Sequence, residues 1–188
     1  MMTVAARLAL LAALLFIAPV TVPSSTPPAS AASAREIDAD VRATLERFYT
    51  QVRGAGELLS RAQGVLVFPS VVKAGMGFGG EYGEGALLIR GRTVDYYNTI
   101  SASVGFQLGV QARSVIIVFM TEDALAQFRR TNGWKIGVDG SVAVITLGVG
   151  GAIDSNQVRN PVVAFIIDNK GLMYNLTLEG SKISRISR

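Results

Sequence analysis

The sequence predicts an α+β fold: a single β-rich domain with glycine-rich bent strands, an N-terminal amphipathic helix and one short inserted helix. Three observations predict it. Ile37, Val41, Leu45, Phe48 and Val52 fall on one stripe of a 3.6-residue period, with Arg, Glu and Asp elsewhere. From Val65 onward the chain breaks into short apolar or alternating runs, the pattern of strands. Three of those runs repeat one device, glycine at alternate positions, which leaves one face bare for close packing or bending.

The elements follow in chain order. Arg7 and the apolar run Leu8 to Val20 read as an export signal, too short to span a bilayer with ease. Small-residue sites at Ala29-Ser30-Ala31 and Ala32-Ser33-Ala34 give cleavage after Ala31 or Ala34, hence a signal over 1–34 and a domain over 35–188. The helix runs Arg35 to Arg53 and ends at Gly54 and Gly56, and a helical turn follows at Glu57 to Ala62. The organising stretch is Gly64 to Gly85. Its run Val65-Leu66-Val67-Phe68 should stop at Pro69, since proline cannot donate to a sheet ladder. Beyond it Gly75, Gly77 and Gly79 alternate with Met76 and Phe78, and Gly77 and Gly79 are expected to touch backbone. Ala86 to Ile89 is a buried strand, Arg90-Gly91-Arg92 a turn, and Val94 to Ile100 a strand. Ser101 to Gln111 alternates again, and Val115 to Met120 is a central strand. Thr121 caps a helix through Arg130 with Leu125 and Phe128 inward, ending at Asn132-Gly133. Trp134 opens a strand pair reaching Ile153. Val162 to Ile167 turns at Asp168 to Gly171 into Leu172 to Leu178, and a polar, basic tail closes the chain.

Composition removes whole classes of chemistry. The chain has no histidine and no cysteine. A Ser-His-Asp triad, a Cys-His pair, disulfides and ordinary zinc, copper or iron–sulfur sites therefore lack their residues. An oxygen-only cation site needs an acidic cluster, and the 14 carboxylates are scattered. The formal net charge is +4, and +3 once Arg7 leaves with the signal. That sign suits anionic lipid. Nucleic acid is not expected, because no basic run interleaves with aromatics.

Two catalytic motifs match by letter and fail by context. Gly75-Met76-Gly77-Phe78-Gly79-Gly80 fits GxGxxG, with Asp95 downstream, but Glu81-Tyr82-Gly83-Glu84-Gly85 is too glycine-broken to start the helix that binds a pyrophosphate. Ser70-Val71-Val72-Lys73 fits SxxK, but the Ser-Asp-Asn and Lys-Thr-Gly elements of such acylating enzymes are absent.

Phe68-Pro69-Ser70-Val71-Val72-Lys73-Ala74-Gly75 with the run to Gly85, Ser103-Val104-Gly105-Phe106-Gln107 with Gly109 and Gln111, and Leu176-Thr177-Leu178-Glu179-Gly180 together resemble the SYLF domain. The resemblance spans roughly Arg35 to Arg185. It implies lipid binding: eukaryotic SYLF proteins bind phosphoinositides, and the yeast actin-patch members bind actin filaments. Bacterial members are secreted or outer-membrane-associated, often as lipoproteins. This chain lacks the lipoprotein cysteine, and the actin role does not transfer to a periplasmic protein.

The expected function is thus a non-enzymatic periplasmic or secreted module that binds anionic, phosphoinositide-like lipid headgroups. The alternative is an envelope adaptor that binds another protein. No cofactor, metal or catalytic residue is expected. The expected lipid contacts are Lys73, Arg90, Arg92 and Arg113, each beside a glycine-rich or turn segment where a phosphate could also reach backbone N–H groups.

Overall fold

The computed structural model describes residues 32–148, 150–153, 159–170, 178 and 180–188, with the backbone alone at 76–78 and 103–109. One compact unit covers Ala32–Arg188. The signal expected over 1–34 lies outside the described residues up to 31, and so does the arm expected at 172–177.

Helix α1 (Ala34–Gln51) starts on a capping box. The Ser33 hydroxyl accepts from the Glu36 N–H, and the Glu36 carboxylate accepts from the Ser33 N–H at 2.7 Å. Ile37, Val41, Phe48 and Val52 are buried, with Leu45 packed at their edge, so the expected stripe is the face that meets the sheet. Gly54 takes a left-handed φ of 86° and turns the chain into α2 (Ala55–Arg61).

The frame is one long hairpin. Strand β1 (Gly64–Ile89) and strand β2 (Arg92–Phe119) pair antiparallel from Gly64↔Phe119 to Ile89↔Arg92. Arg90 (φ 52°) and Gly91 (φ 74°) make the two-residue connection, both in the positive-φ conformation that a type I′ turn requires. Pro69 does not end β1, contrary to expectation. Pro69 and Ser70 sit in a β-bulge between Phe68↔Val115 and Val71↔Arg113, where a missing N–H breaks no ladder bond.

The hairpin folds back on itself around Gly77. The turn half of β1 then crosses over its base half, and that crossing explains the glycines. A Cβ at Gly85 would collide with the Val67 carbonyl oxygen, and one at Gly83 would lie 2.8 Å from the Ser70 carbonyl oxygen. Among the described contacts the close backbone approach falls at Gly83 and Gly85, and the contacts expected at Gly77 and Gly79 lie outside what is described. Between the halves lies the inner core, with Leu66, Phe68, Leu87, Tyr97, Ile117 and Phe119. On the outside, α1 and α2 pack over Val67, Ala86, Leu88, Ile116, Val118 and Phe165.

The remaining strands extend this curled sheet from β2. Strand β5 (Val162–Lys170) pairs antiparallel with the base half of β2, and β4 (Ala143–Thr146) pairs parallel with β5. Strand β6 (Lys182–Ile186) pairs with Tyr96 to Ile100 in the turn half, and β3 (Trp134–Lys135) pairs with β6. Two expectations are corrected here. The segment from Trp134 to Ile153 is not a strand pair, because β3 and β4 join opposite ends of the sheet. The basic tail is in part a strand, since its alternation buries Ile183 and leaves Lys182 outside, while Arg185, on the Ile183 side, carries its guanidinium over the Tyr97 ring at 6.0 Å. Helix α3 (Glu122–Arg130) is capped by Thr121, whose hydroxyl accepts from the Ala124 N–H, and sends Phe128 into the inner core against Phe119, Tyr97 and Trp134.

Candidate anion-binding cleft

The four expected cations divide into two pairs at opposite ends of the folded hairpin. Arg90 and Arg92 are exposed at the turn. Lys73 and Arg113 lie toward the bend, and their charged heads are inside. Arg113 Nη2 donates to Glu81 Oε2 at 2.7 Å, and Lys73 Nζ lies 3.6 Å from Glu81 Oε1. All three residues are buried, with Lys73 at 5% and Arg113 at 3% exposure. The expectation of accessible charges at 73 and 113 is therefore corrected. The fold-back carries Glu81, four residues beyond Gly77, onto Lys73, four residues before it. Burial lowers the affinity of Arg113 for its proton and Glu81 raises it, with burial the larger effect. A guanidinium nonetheless stays protonated in proteins, so the cluster holds two cations around one carboxylate. Lys73 is also unavailable as a base for Ser70: residues three apart on a strand point to opposite faces, and its ammonium is held by Glu81.

A polar cleft of about 340 Å³ opens beside this cluster, on the outer face of the sheet. Two bulges shape it. Pro69-Ser70 bulges from β1 on one side of β2, and Asp168-Asn169 bulges from β5 on the other, between Ala112↔Lys170 and Ser114↔Ile167. Asp168 adopts φ 54°, a left-handed conformation that aspartate tolerates better than most residues. Bulges re-aim side chains, and these two direct Ser70 and Asp168 at one space. Ser114 on the floor donates to the Pro69 carbonyl oxygen at 2.8 Å, which satisfies the group the bulge exposes. From α1, Arg47 bridges Asp168 at 2.8 Å and donates to Thr44 Oγ1 at 3.0 Å. Arg47 thereby neutralises the one acid of the cleft. Lys170, exposed on the rim, makes no ion pair among the described residues. The backbone of Arg113 completes the floor, since its guanidinium turns inward to Glu81.

A second cleft of about 540 Å³ lies at the hairpin turn, with Arg90 beside Arg61, Gln63, Glu122 and Arg129. Arg129 there is shared with Asp95 at 3.6 Å. Helices α2 and α3 wall this cleft, whereas the two-bulge cleft continues into open sheet through Ala112 to the exposed Val72 and Val110. Among the described residues no three acidic side chains converge as a metal site requires.

Sequence reading missed Arg47, Asp168 and Lys170 as a group. They come from α1 and β5, and only the sheet register brings them to Ser70. The proline inside a strand-like run was the one local sign of a bulge.

Residues 100–187 match the model of the Ysc84 family, described as Las17-binding protein actin regulator. The match begins at Ile100, within β2, and includes α3 and β3 to β6, so the Phe68 to Gly85 stretch lies before it. No curated protein matches the chain.

Proposed function

Taking the chain as a member of the Ysc84, or SYLF, family through residues 100–187, we propose that it is a non-enzymatic, exported module that binds anionic lipid headgroups at the two-bulge cleft. The observation that carries this reading is the cleft itself: a basic, hydroxyl-bearing ledge that opens onto uncovered apolar sheet. A headgroup phosphate seated there meets Lys170 Nζ, the Ser70 hydroxyl and the outer edge of the Arg47 guanidinium. Its acyl chains leave across Ala112 toward Val72 and Val110. Arg47 is already answered by Asp168, so the uncompensated charge is about one lysine. A basic side chain near an anionic surface contributes about 1 kcal/mol, which makes the attachment weak and reversible. Surface attraction also fades within about 8 Å at physiological salt, so affinity falls as salt rises.

Export is supported by the apolar run behind Arg7 and by the small-residue sites. Cleavage after Ala31 retains Ser33 and with it the α1 capping box, whereas cleavage after Ala34 removes it. The proposed mature N-terminus is therefore Ala32.

Co-flotation of the protein with anionic and neutral phospholipid vesicles tests the reading. Lys170→Glu should lower anionic binding several-fold, while Lys182→Glu, on β6, should lower it little. Equal losses would reduce the effect to net charge without a site. No flotation of the wild type with anionic vesicles at low salt would favour an envelope adaptor that binds protein instead.

A further inference from the structure

We propose that the bend of the β1–β2 hairpin enters the membrane, with its outer sheet face against the acyl chains. This rests on the lipid-binding reading above and extends it, through a different force, from the cleft along the apolar face that begins at Val72 and Val110 and continues to Tyr82 and Ile100.

The argument starts from the alternation of side chains. Around the bend the inner face carries Lys73, Glu81, Gln111 and Arg113, all buried. The outer face carries Val72, Ala74, Gly80 and Tyr82 on β1, and Ile100, Ala102, Val110 and Ala112 on β2. The sequence keeps the same alternation of residue types through Met76 and Phe78 and through Val104, Phe106 and Leu108. No charged residue interrupts the outer positions from 72 to 82 or from 100 to 112. A sheet in water has the opposite pattern, apolar toward the core and polar toward solvent. Polar-in and apolar-out is the pattern of strands that face lipid.

The exposure is large where it can be read. Val110 is 68% exposed, Ile100 49%, Tyr82 48% and Val72 40%. Tyr82 and Ile100 are direct cross-strand partners, and Val72 and Val110 are diagonal neighbours. The charges of this end lie inside the sheet, where Lys73 and Arg113 share Glu81, and none of them projects from the outer face. The outer charged group that follows Tyr82, Glu84, is bonded to Arg188 and marks the limit of the apolar band.

Charge complementarity names the occupant. Val72, Ala112 and Lys170 lie in one cross-strand row, and Lys170 stands at the end of that row beside Arg47. Immersing the bend as far as Val72 brings these cations to the level of the headgroups. With these cations at headgroup level, the apolar face beyond them inserts into the interfacial layer, about 5–10 Å deep.

The test uses the position of an introduced indole. The one tryptophan, Trp134, is buried at 2% exposure and gives a constant background. Val110→Trp and Ile100→Trp should shift to the blue on mixing with phosphatidylglycerol-containing vesicles, and bromine on the acyl chains should quench them. Val138→Trp, at a site 76% exposed in the turn after β3, should do neither. Val72→Asp with Val110→Asp should weaken vesicle binding at least tenfold, with the circular-dichroism spectrum unchanged, and Val138→Asp should not. If wild type floats with vesicles but V110W and I100W are no more quenched than V138W, insertion is wrong and headgroup binding stands. If wild type does not float at all, both readings fall.

Discussion

Glu81→Gln removes one charge from the interior and leaves the shape of the side chain almost unchanged. In the native protein that charge holds Arg113 at 2.7 Å and Lys73 at 3.6 Å, with all three side chains at 7% exposure or less. At an effective dielectric of about 20, each attraction is on the order of 4–6 kcal/mol, and the repulsion between the two cations cancels part of the sum. Removing the shared anion leaves two buried like charges facing each other. Breaking a buried pair in this way costs about 3–5 kcal/mol. For a chain of this length that corresponds to a fall in melting temperature on the order of 10 °C. Urea denaturation followed by the fluorescence of the buried Trp134 measures it. A combined Lys73→Met, Glu81→Leu, Arg113→Met protein should regain most of the loss, because apolar groups of similar volume replace a buried ion cluster at little net cost. A Glu81→Gln protein within 1 kcal/mol of wild type would show that water reaches the cluster, and the account of a closed bend would fail.

Three further outcomes follow from the packing and the titrations. Gly85→Ala should destabilise severely, because its Cβ meets the Val67 carbonyl, while Gly148→Ala, with open space around it, should stay near neutral in the same denaturation assay. Ser33→Ala should cost about 1 kcal/mol by unmaking the α1 cap, read as a lowered urea midpoint at unchanged slope. Burial pushes the Tyr97 phenol above its ordinary value, so the folded state binds its proton more tightly than the unfolded chain does. The stability this gives is complete below about pH 10 and is lost as pH rises through the folded-state value. Tyr97→Phe should therefore flatten the alkaline limb of a stability–pH profile, and an unchanged limb would place the ionisation elsewhere.

Much of the fold was legible because local chemistry decided it. The α1 stripe, the Thr121 cap and the Arg90-Gly91 turn each rest on residues close in sequence. The strand count was not legible, because Pro69 normally ends a strand and here occupies a bulge whose carbonyl Ser114 satisfies from another strand. Strand β6 was hidden by its composition, since Lys182, Ser184 and Arg185 read as tail while only Ile183 is buried. The largest revision concerns Lys73 and Arg113. Lysine and arginine are ordinarily exposed, and nothing local shows that a bend will bring Glu81 onto both. The equal spacing of Lys73 and Glu81 about Gly77 was a usable signal, given that the strand folds there. Lys73 and Arg113 are consequently poor positions for a charge-reversal test of lipid binding, which falls instead to Lys170 on the rim.

Flotation of the wild-type protein with anionic and with neutral vesicles, each at low and at physiological salt, tests the central claim most directly. The basic ledge predicts binding to anionic vesicles that weakens as salt rises, and the apolar bend predicts a residue of binding that salt does not remove. Absence of the protein from the floated anionic vesicles at low salt would contradict the lipid-binding account.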